Sequence, residues 1–419
     1  MIIENFIAQC VRAATRRYFA FDGDHRPAPP PTPSGPIHLY VHIPFCAELC
    51  PYCSFHRVLF SEGPAREYFR ALKKEIGMYR ERGFAFSGVY IGGGTPTILL
   101  DELVDLLALI RRDFSPGEIS VETNPDRLDG QTLGLLADAG VDRVSVGIQT
   151  FSDPILKSIG RYAKYGSGEV LKRRLLDARG RAHTLNVDMI YNFPTQTRPM
   201  IEHDLAVLSE VSPDQITFYP LMISDATKRK MSDLMGRVSY RKEKHFFSLI
   251  SAHLKRSYTP GSAWCFSKRG GSMIDEYVVT SSEYAGAGSG AFGLVGGGIY
   301  ANTFSLSSYI ERIGKGEFPL FARKLFNVRE LSRYAFLMGL FGLRLDPGDF
   351  RKRFGSPLWW MLGPELLFFF LSGAVRFRNG RIELTDRGRY YWVVMMREFF
   401  TGVDNFRDLS REAAGIVVS

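Results

Sequence analysis

From about residue 37 the apolar residues fall into short β-type runs separated by longer stretches with helical spacing. The β-type runs cover 38–43, 88–91, 118–122, 143–148, 185–190 and 215–219. Between them, segments such as 65–82, 101–114 and 131–139 repeat apolar residues every three or four positions and predict amphipathic helices. A strand followed by a helix, repeated along the chain, predicts a parallel sheet covered by helices. Six such units suit a partial (β/α)6 barrel, short of the eight of a closed one. The fold class expected is therefore α/β.

The two ends of the chain read differently. Residues 2–19 place Ile3, Phe6, Ile7, Cys10, Val11 and Ala14 near one helical face, with Arg12, Arg16 and Arg17 elsewhere. That pattern serves an interfacial helix or one packed on the main body. Cys10 on the apolar side, and Cys265 after Trp264, read as small buried hydrophobes. A proline-rich stretch at 27–36 predicts a semi-rigid linker, and 284–300 is rich in glycine. Beyond about residue 327 the pattern is helical, followed by a hairpin at 375–385 turned by Asn379-Gly380 and a last helix at 386–400 capped by Thr385. This predicts a small winged-helix-like α+β domain, acting as a lid or packing module instead of reading DNA. The apolar segment 355–373 carries Glu365 and is interrupted by Pro357, Gly363 and Pro364, so it reads as a buried helix pair and not a membrane span. The predicted units are an N-terminal helix (1–26), a linker (27–36), the barrel (37–260), a glycine-rich extension completing the site (261–326) and the C-terminal domain (327–419).

At 419 residues and 45% hydrophobic, the chain can bury a sizeable core. Its net charge of +9 suits an acidic electron donor, an anionic substrate or a membrane surface, and does not choose among them. The basic residues are scattered, and no nucleic-acid motif is present. The opening residues hold an acid, Glu4, where a secretory signal would be basic. With only five cysteines, a disulfide framework is unsupported, and the chain reads as cytoplasmic.

Three of those cysteines carry the chemistry. Cys46, Cys50 and Cys53 follow the first predicted strand, spaced Cys-x3-Cys-x2-Cys. Iron–sulfur clusters normally take four thiolates, so a three-cysteine loop leaves one iron open to a substrate or cofactor. S-adenosylmethionine (SAM) chelates such an iron through its amino and carboxylate groups. The spacing, with an aromatic before the last cysteine, resembles the radical SAM superfamily. A structural zinc site, with His42 or His56 completing the set, is the alternative.

The other polar clusters also fall at strand ends, where a parallel barrel forms its site. Gly92-Gly93-Gly94 brings backbone close to a ligand without a Cβ in the way, and Thr95 follows. Glu122 suits a ligand ammonium and Arg161 a ligand carboxylate. Asp188, within an apolar run, needs a partner that ribose hydroxyls would supply. Tyr40 and His42 share a face of the first strand and are candidates for contact with SAM or substrate.

Tyr40-x-His-Ile-Pro-Phe-Cys-x3-Cys-x-Tyr-Cys-x-Phe, Ile91-Gly-Gly-Gly-Thr-Pro-Thr, Glu122-x-Asn-Pro, Arg143-x-Ser-x-Gly-Ile-Gln-Thr-Phe151 and Asn186-x-Asp-Met-Ile together resemble the oxygen-independent coproporphyrinogen III oxidase-like (HemN/HemW-like) family of radical SAM enzymes. The resemblance implies a [4Fe–4S] cluster on the three cysteines and a SAM touching Gly92, Gly93, Thr95, Glu122, Arg161 and Asp188. It puts Gln149 near a second SAM, and implies reduced ferredoxin or flavodoxin as electron donor. Several family positions differ. Ser54 and Phe55 stand where a further cysteine is frequent in the oxidases, Met273–Tyr277 lacks the chaperones' histidine, and Tyr162 and Ala163 follow Arg161 where a histidine is frequent. Asn192 replaces a glycine in the loop after Asp188. These departures put a porphyrin substrate in doubt, and the reading is methyl transfer or cyclopropanation with a second SAM on an apolar or aromatic substrate. The aromatic-rich C-terminal domain and the N-terminal helix suit a hydrophobic, lipid-like substrate and peripheral contact at the inner membrane face. A tetrapyrrole enzyme is the alternative reading and a haem carrier a further one.

Overall fold

Six strands, Ile37–Ile43, Phe86–Gly93, Glu118–Thr123, Arg143–Gln149, Thr184–Tyr191 and Gln215–Pro220, lie side by side in chain order, each parallel to the next. In the computed structural model, residues 2–21, 28–268, 282–413 and 415 are described. The strands are buried almost throughout, as their β-branched runs require once helices cover them. The helix Leu100–Phe114 shows how: Leu103, Leu106, Leu107 and Ile110 face the sheet, while Asp101 and Arg112 remain on the other side.

The sheet does not stop at six. Tyr284–Ala287 adds in parallel to the first strand, and Phe292–Val295, Gly298–Asn302 and Leu320–Leu325 continue antiparallel. On the far edge Cys265–Ser267 pairs antiparallel with the sixth strand. The glycine-rich segment is thus largely sheet, and its glycines answer close packing. A Cβ at Gly293 would lie 2.3 Å from the Tyr300 ring, and one at Gly286 would lie 2.1 Å from the Phe292 carbonyl oxygen. Glu75, on the helix Glu62–Glu81, pins this region by accepting from the Gly288 amide (2.8 Å), the Tyr309 hydroxyl (2.6 Å) and Asn302 Nδ2 (3.1 Å).

The C-terminal helix runs from Asp386 to Ala413, more than a dozen residues past the expected stop at 400. The N-terminal helix (Ile2–Tyr18) packs along it, joined by the Arg12–Glu398 ion pair and, through a neighbouring helix, by Lys244–Glu4. Because that partner surface is charged, the N-terminal helix buries Glu4 and Thr15 beside Ile7 and Ala8. Cys10 is exposed, contrary to expectation, because the helix buries the face carrying Glu4, Ile7, Ala8 and Thr15 instead. Cys265 is buried, as expected.

The helix Leu358–Leu371 kinks at Leu362, two residues before Pro364. It buries Leu358, Leu362, Leu366 and Phe369 but exposes Trp359, Trp360, Leu367 and Leu371, so it is half-covered where the pattern predicts burial. Its Glu365 pairs with Arg333 at 2.6 Å. Among the described residues no helix is long and apolar enough to cross a membrane. The hairpin Val375–Arg378/Arg381–Leu384 turns at Asn379 and Gly380, both at positive φ as a type I′ turn requires.

Candidate active site

The cysteine loop is a closed bow. Its ends are tied where Phe45–Cys46 pairs with Val58–Leu59, and its tip turns through a hydrogen bond from the Cys53 amide to the Cys50 carbonyl oxygen. Arg57 reaches back to donate twice to the Cys53 carbonyl oxygen, from Nε (3.1 Å) and Nη2 (2.5 Å). All three thiols are free, half-buried, and line one cavity of about 310 Å³.

The donor set tells what fits there. Among the described residues no three Cys, His, Asp or Glu side chains are gathered closely enough to hold a single ion. A four-iron cluster takes each thiolate at a different iron, and the three cysteines line one cavity. Burial pushes the Cys46 thiol up to about 11, and Cys53 is shifted upward for the same reason. Both must lose a proton on metal binding.

Behind the loop lies the glycine turn. The Gly94 amide donates to the Ile43 carbonyl oxygen (2.7 Å) and the Thr95 amide to that of Phe45 (2.8 Å). A Cβ at Gly94 would sit 2.6 Å from the Phe45 oxygen, so this glycine lets the cysteine loop cross the strand end. The Gly93 amide is engaged within the protein, donating to Glu122 Oε2 at 3.0 Å, while the Tyr90 hydroxyl donates to Glu122 Oε1 at 2.7 Å. Gly92 supports that carboxylate from behind and does not line the cavity, whereas Gly93, Thr95 and Glu122 do. Asn124 Nδ2 donates to Thr95 Oγ1 at 2.7 Å, and Thr95 Oγ1 lies 3.9 Å from Cys46 Sγ. One chain of contacts thus joins the third strand to the cysteine loop.

Across the cavity, Asp188 accepts from Ser145 Oγ (2.7 Å) and Asn186 Nδ2 (2.8 Å). Arg161 is buried, lies over the Tyr165 ring at 4.4 Å and donates from Nη2 to the Gly147 carbonyl oxygen. Its Nε finds no hydrogen-bond partner among the described residues. Gln149 lines the same cavity with a left-handed backbone at φ 75°.

Tyr40 lines the cavity; His42 does not. The Tyr40 hydroxyl lies 2.7 Å from His42 Nδ1, and His42 Nε2 lies 2.8 Å from the His56 carbonyl oxygen. A carbonyl can only accept, so Nε2 carries the proton and Nδ1 accepts from Tyr40. Burial pushes His42 down to about 4, keeping it neutral. His42 is thus buried behind Tyr40, hydrogen-bonded to it and outside the cavity lining.

The sequence pattern passed over Tyr90, Ser145, Arg57, Phe292, Phe400, Asp404 and Arg407, which also line the cavity. Tyr90 is two residues before Gly92 on the same strand and was open to an alternation argument. The last three lie on the C-terminal helix, and no local motif ties them to the cysteines.

A parallel sheet with a three-thiol loop and a carboxylate–arginine ring at its strand ends defines a radical SAM protein, and the model of the Radical SAM superfamily matches residues 40–208. The chain is 30% identical over 370 residues to the heme chaperone HemW of Bacillus subtilis, covering 84% of this chain and 95% of that protein. It is 38% identical over 191 residues to an oxygen-independent coproporphyrinogen III oxidase of Cereibacter sphaeroides, covering 43% of this chain and 42% of that one. The structure of coproporphyrinogen III oxidase (HemN) from Escherichia coli superposes with a TM-score of 0.72 at 22% identity, covering 93% of both chains. This chain therefore belongs to the HemN/HemW family of radical SAM proteins, and membership implies a [4Fe–4S] cluster and SAM. These relatives are tetrapyrrole proteins by name. The expectation of methyl transfer or cyclopropanation finds no support in them, and the alternative reading fits better. The segment Met273–Tyr277, weighed in that expectation, lies outside the described residues.

Proposed function

We propose that this chain is a radical SAM enzyme acting on a tetrapyrrole, with Cys46, Cys50 and Cys53 as cluster ligands and Thr95, Glu122, Arg161 and Asp188 as the SAM contacts. A [4Fe–4S] cluster held by Cys46, Cys50 and Cys53 would supply the one-electron reducing chemistry that opens a bound SAM. The protein's part is positioning. Glu122, held by Tyr90 and Gly93, meets the SAM ammonium; Arg161, held over Tyr165, meets its carboxylate; Asp188, held by Ser145 and Asn186, meets ribose hydroxyls. Reduced ferredoxin or flavodoxin serves as electron donor.

The observation that carries the substrate reading is the makeup of the cavity. The same space that holds the three thiols is walled by Tyr219, Met222, Phe292 and Phe400, with Arg57 and Arg407 among them. An apolar wall with buried cations suits a large flat ring bearing carboxylates. A haem carrier is the second reading, favoured by the similarity to a heme chaperone across most of the chain.

Anaerobic turnover of the cluster-loaded chain with coproporphyrinogen III, haem, lipid and aromatic pools separates these readings. Consumption of a tetrapyrrole with release of 5′-deoxyadenosine supports the enzyme. Tight haem binding with no SAM cleavage under any condition supports the carrier. Release of S-adenosylhomocysteine from a lipid or aromatic pool would contradict both.

A further inference from the structure

The C-terminal helix buries more charge than helix packing needs. Arg397 and Glu398 are accounted for by Glu243 and Arg12, which join the helix to its neighbours. Further along, Arg407 is 8% exposed and lines the cavity together with Arg57, 5% exposed. Arg407 Nη1 donates to Asp404 Oδ1 at 2.7 Å, and its guanidinium lies over the rings of Phe55 (4.9 Å) and Phe292 (5.5 Å). Those contacts orient the group without filling it. Its Nε, and Nη1 of Arg57, have no hydrogen-bond partner among the described residues.

A guanidinium offers five donors in a rigid fork that matches the two oxygens of a carboxylate. Two guanidiniums in the lining of one cavity, from segments 350 residues apart (407 less 57), suit an oxygen-rich anion. Glu122, Asp188 and Arg161 already answer the charges of SAM. Arg407, ion-paired with Asp404 and backed by Phe55, and Arg57, tied to the Cys53 carbonyl, line the same cavity apart from those SAM contacts.

We propose that Arg57 and Arg407 form a carboxylate subsite that takes a propionate-type side chain of the substrate and sets the ring's orientation against the cysteine loop. The inference rests on the tetrapyrrole reading, which supplies the carboxylates. The C-terminal helix is then a specificity element of the active site as well as a packing element.

The test is an anaerobic equilibrium titration of the full cluster-loaded chain with coproporphyrin III and with its tetramethyl ester, followed by fluorescence. The wild-type chain should bind the free acid at least about tenfold more tightly than the ester, a ratio that requires no variant. R407Q should weaken the free acid by about tenfold, leave the ester within about twofold, and keep iron content and cluster absorbance unchanged; R57Q should lower the acid-to-ester ratio in the same direction. R407K should restore part of the loss as a point charge without the fork. Equal binding of acid and ester by the wild-type chain would overturn the subsite while leaving the tetrapyrrole reading standing. So would loss of cluster in both variants with no change in the acid-to-ester ratio, which would make the arginines supports of the cysteine loop. Binding of neither form would overturn the tetrapyrrole reading and the subsite with it.

Discussion

The Glu122 carboxylate accepts the Gly93 amide at 3.0 Å, so the acid at the end of the third strand and the glycine turn at the end of the second form one unit. Tyr90 holds the other oxygen at 2.7 Å. The acid is thereby fixed at the cavity wall instead of sweeping it. We expect Glu122→Ala to weaken SAM binding to the cluster-loaded chain by at least about tenfold, since it removes an ionic contact and its alignment together. Equilibrium dialysis with labelled SAM measures it. Unchanged affinity at normal iron content would remove Glu122 from the SAM contacts.

Glycines of the same chain separate into needed and incidental. A Cβ at Gly92 would lie 2.7 Å from the Glu122 carboxyl carbon, which Tyr90 and Gly93 prevent from moving away freely. Gly92→Ala is expected to cost about 1–3 kcal/mol and to weaken SAM binding in step with Glu122→Ala. Gly77, on the helix Glu62–Glu81, has nothing within 4 Å of its Cβ position. Gly77→Ala should stabilise by roughly 0.5–1 kcal/mol. Thermal unfolding of the two variants in parallel checks both signs.

Loss of a single thiol should remove the cluster and spare the fold. Cys50→Ala is expected to lose the absorbance near about 400 nm and most of the iron. Its far-UV circular dichroism should match wild type, because the loop is tied by Phe45–Cys46 and Val58–Leu59 and not by the metal. A chelator-stripped wild-type chain should behave the same way. Retained iron and absorbance in the variant would refute Cys50 as a ligand.

Burial drives the Glu75 carboxyl up from its ordinary range to about 7, against the pull of its three donors. A carboxyl raised on folding favours the protonated protein, so its contribution is complete below about 4.5 and is lost as pH rises through about 7. Glu75→Gln should therefore lose little stability at pH 8 and more at pH 5. The change in the wild-type-minus-variant difference should be on the order of 2–3 kcal/mol. Taking the difference cancels Asp204 and Asp404, which burial also raises to about 7. Denaturant melts at the two pH values read it; a pH-independent difference would contradict the assignment.

What the residue pattern disclosed and what it concealed have separate physical causes. The six strands could be read because each is a β-type run bounded by turns, and the polar ends stand out because burial leaves so few polar residues inside. The cysteine loop, Glu122 and Asp188 are local motifs. The C-terminal helix beyond residue 400 is hidden in the pattern because Arg407, Asp408 and Arg411 look like a solvated face, whereas they are buried. The exposure of Cys10 is hidden for the mirror reason. The surface that receives the N-terminal helix is charged, so the buried face is the one with Glu4 and Thr15. His42 and Tyr40 share a strand face, yet only the three-dimensional position of His56 shows that one of them turns inward. Contacts made across hundreds of residues leave no periodicity to read.

The chain's assignment as a tetrapyrrole-directed radical SAM enzyme can be tested by following one hydrogen atom. Anaerobic turnover of the reduced, cluster-loaded chain with SAM and a uniformly deuterated tetrapyrrole should yield 5′-deoxyadenosine carrying deuterium, seen by mass spectrometry. 5′-Deoxyadenosine formed without deuterium, or no SAM cleavage at all, would contradict the assignment.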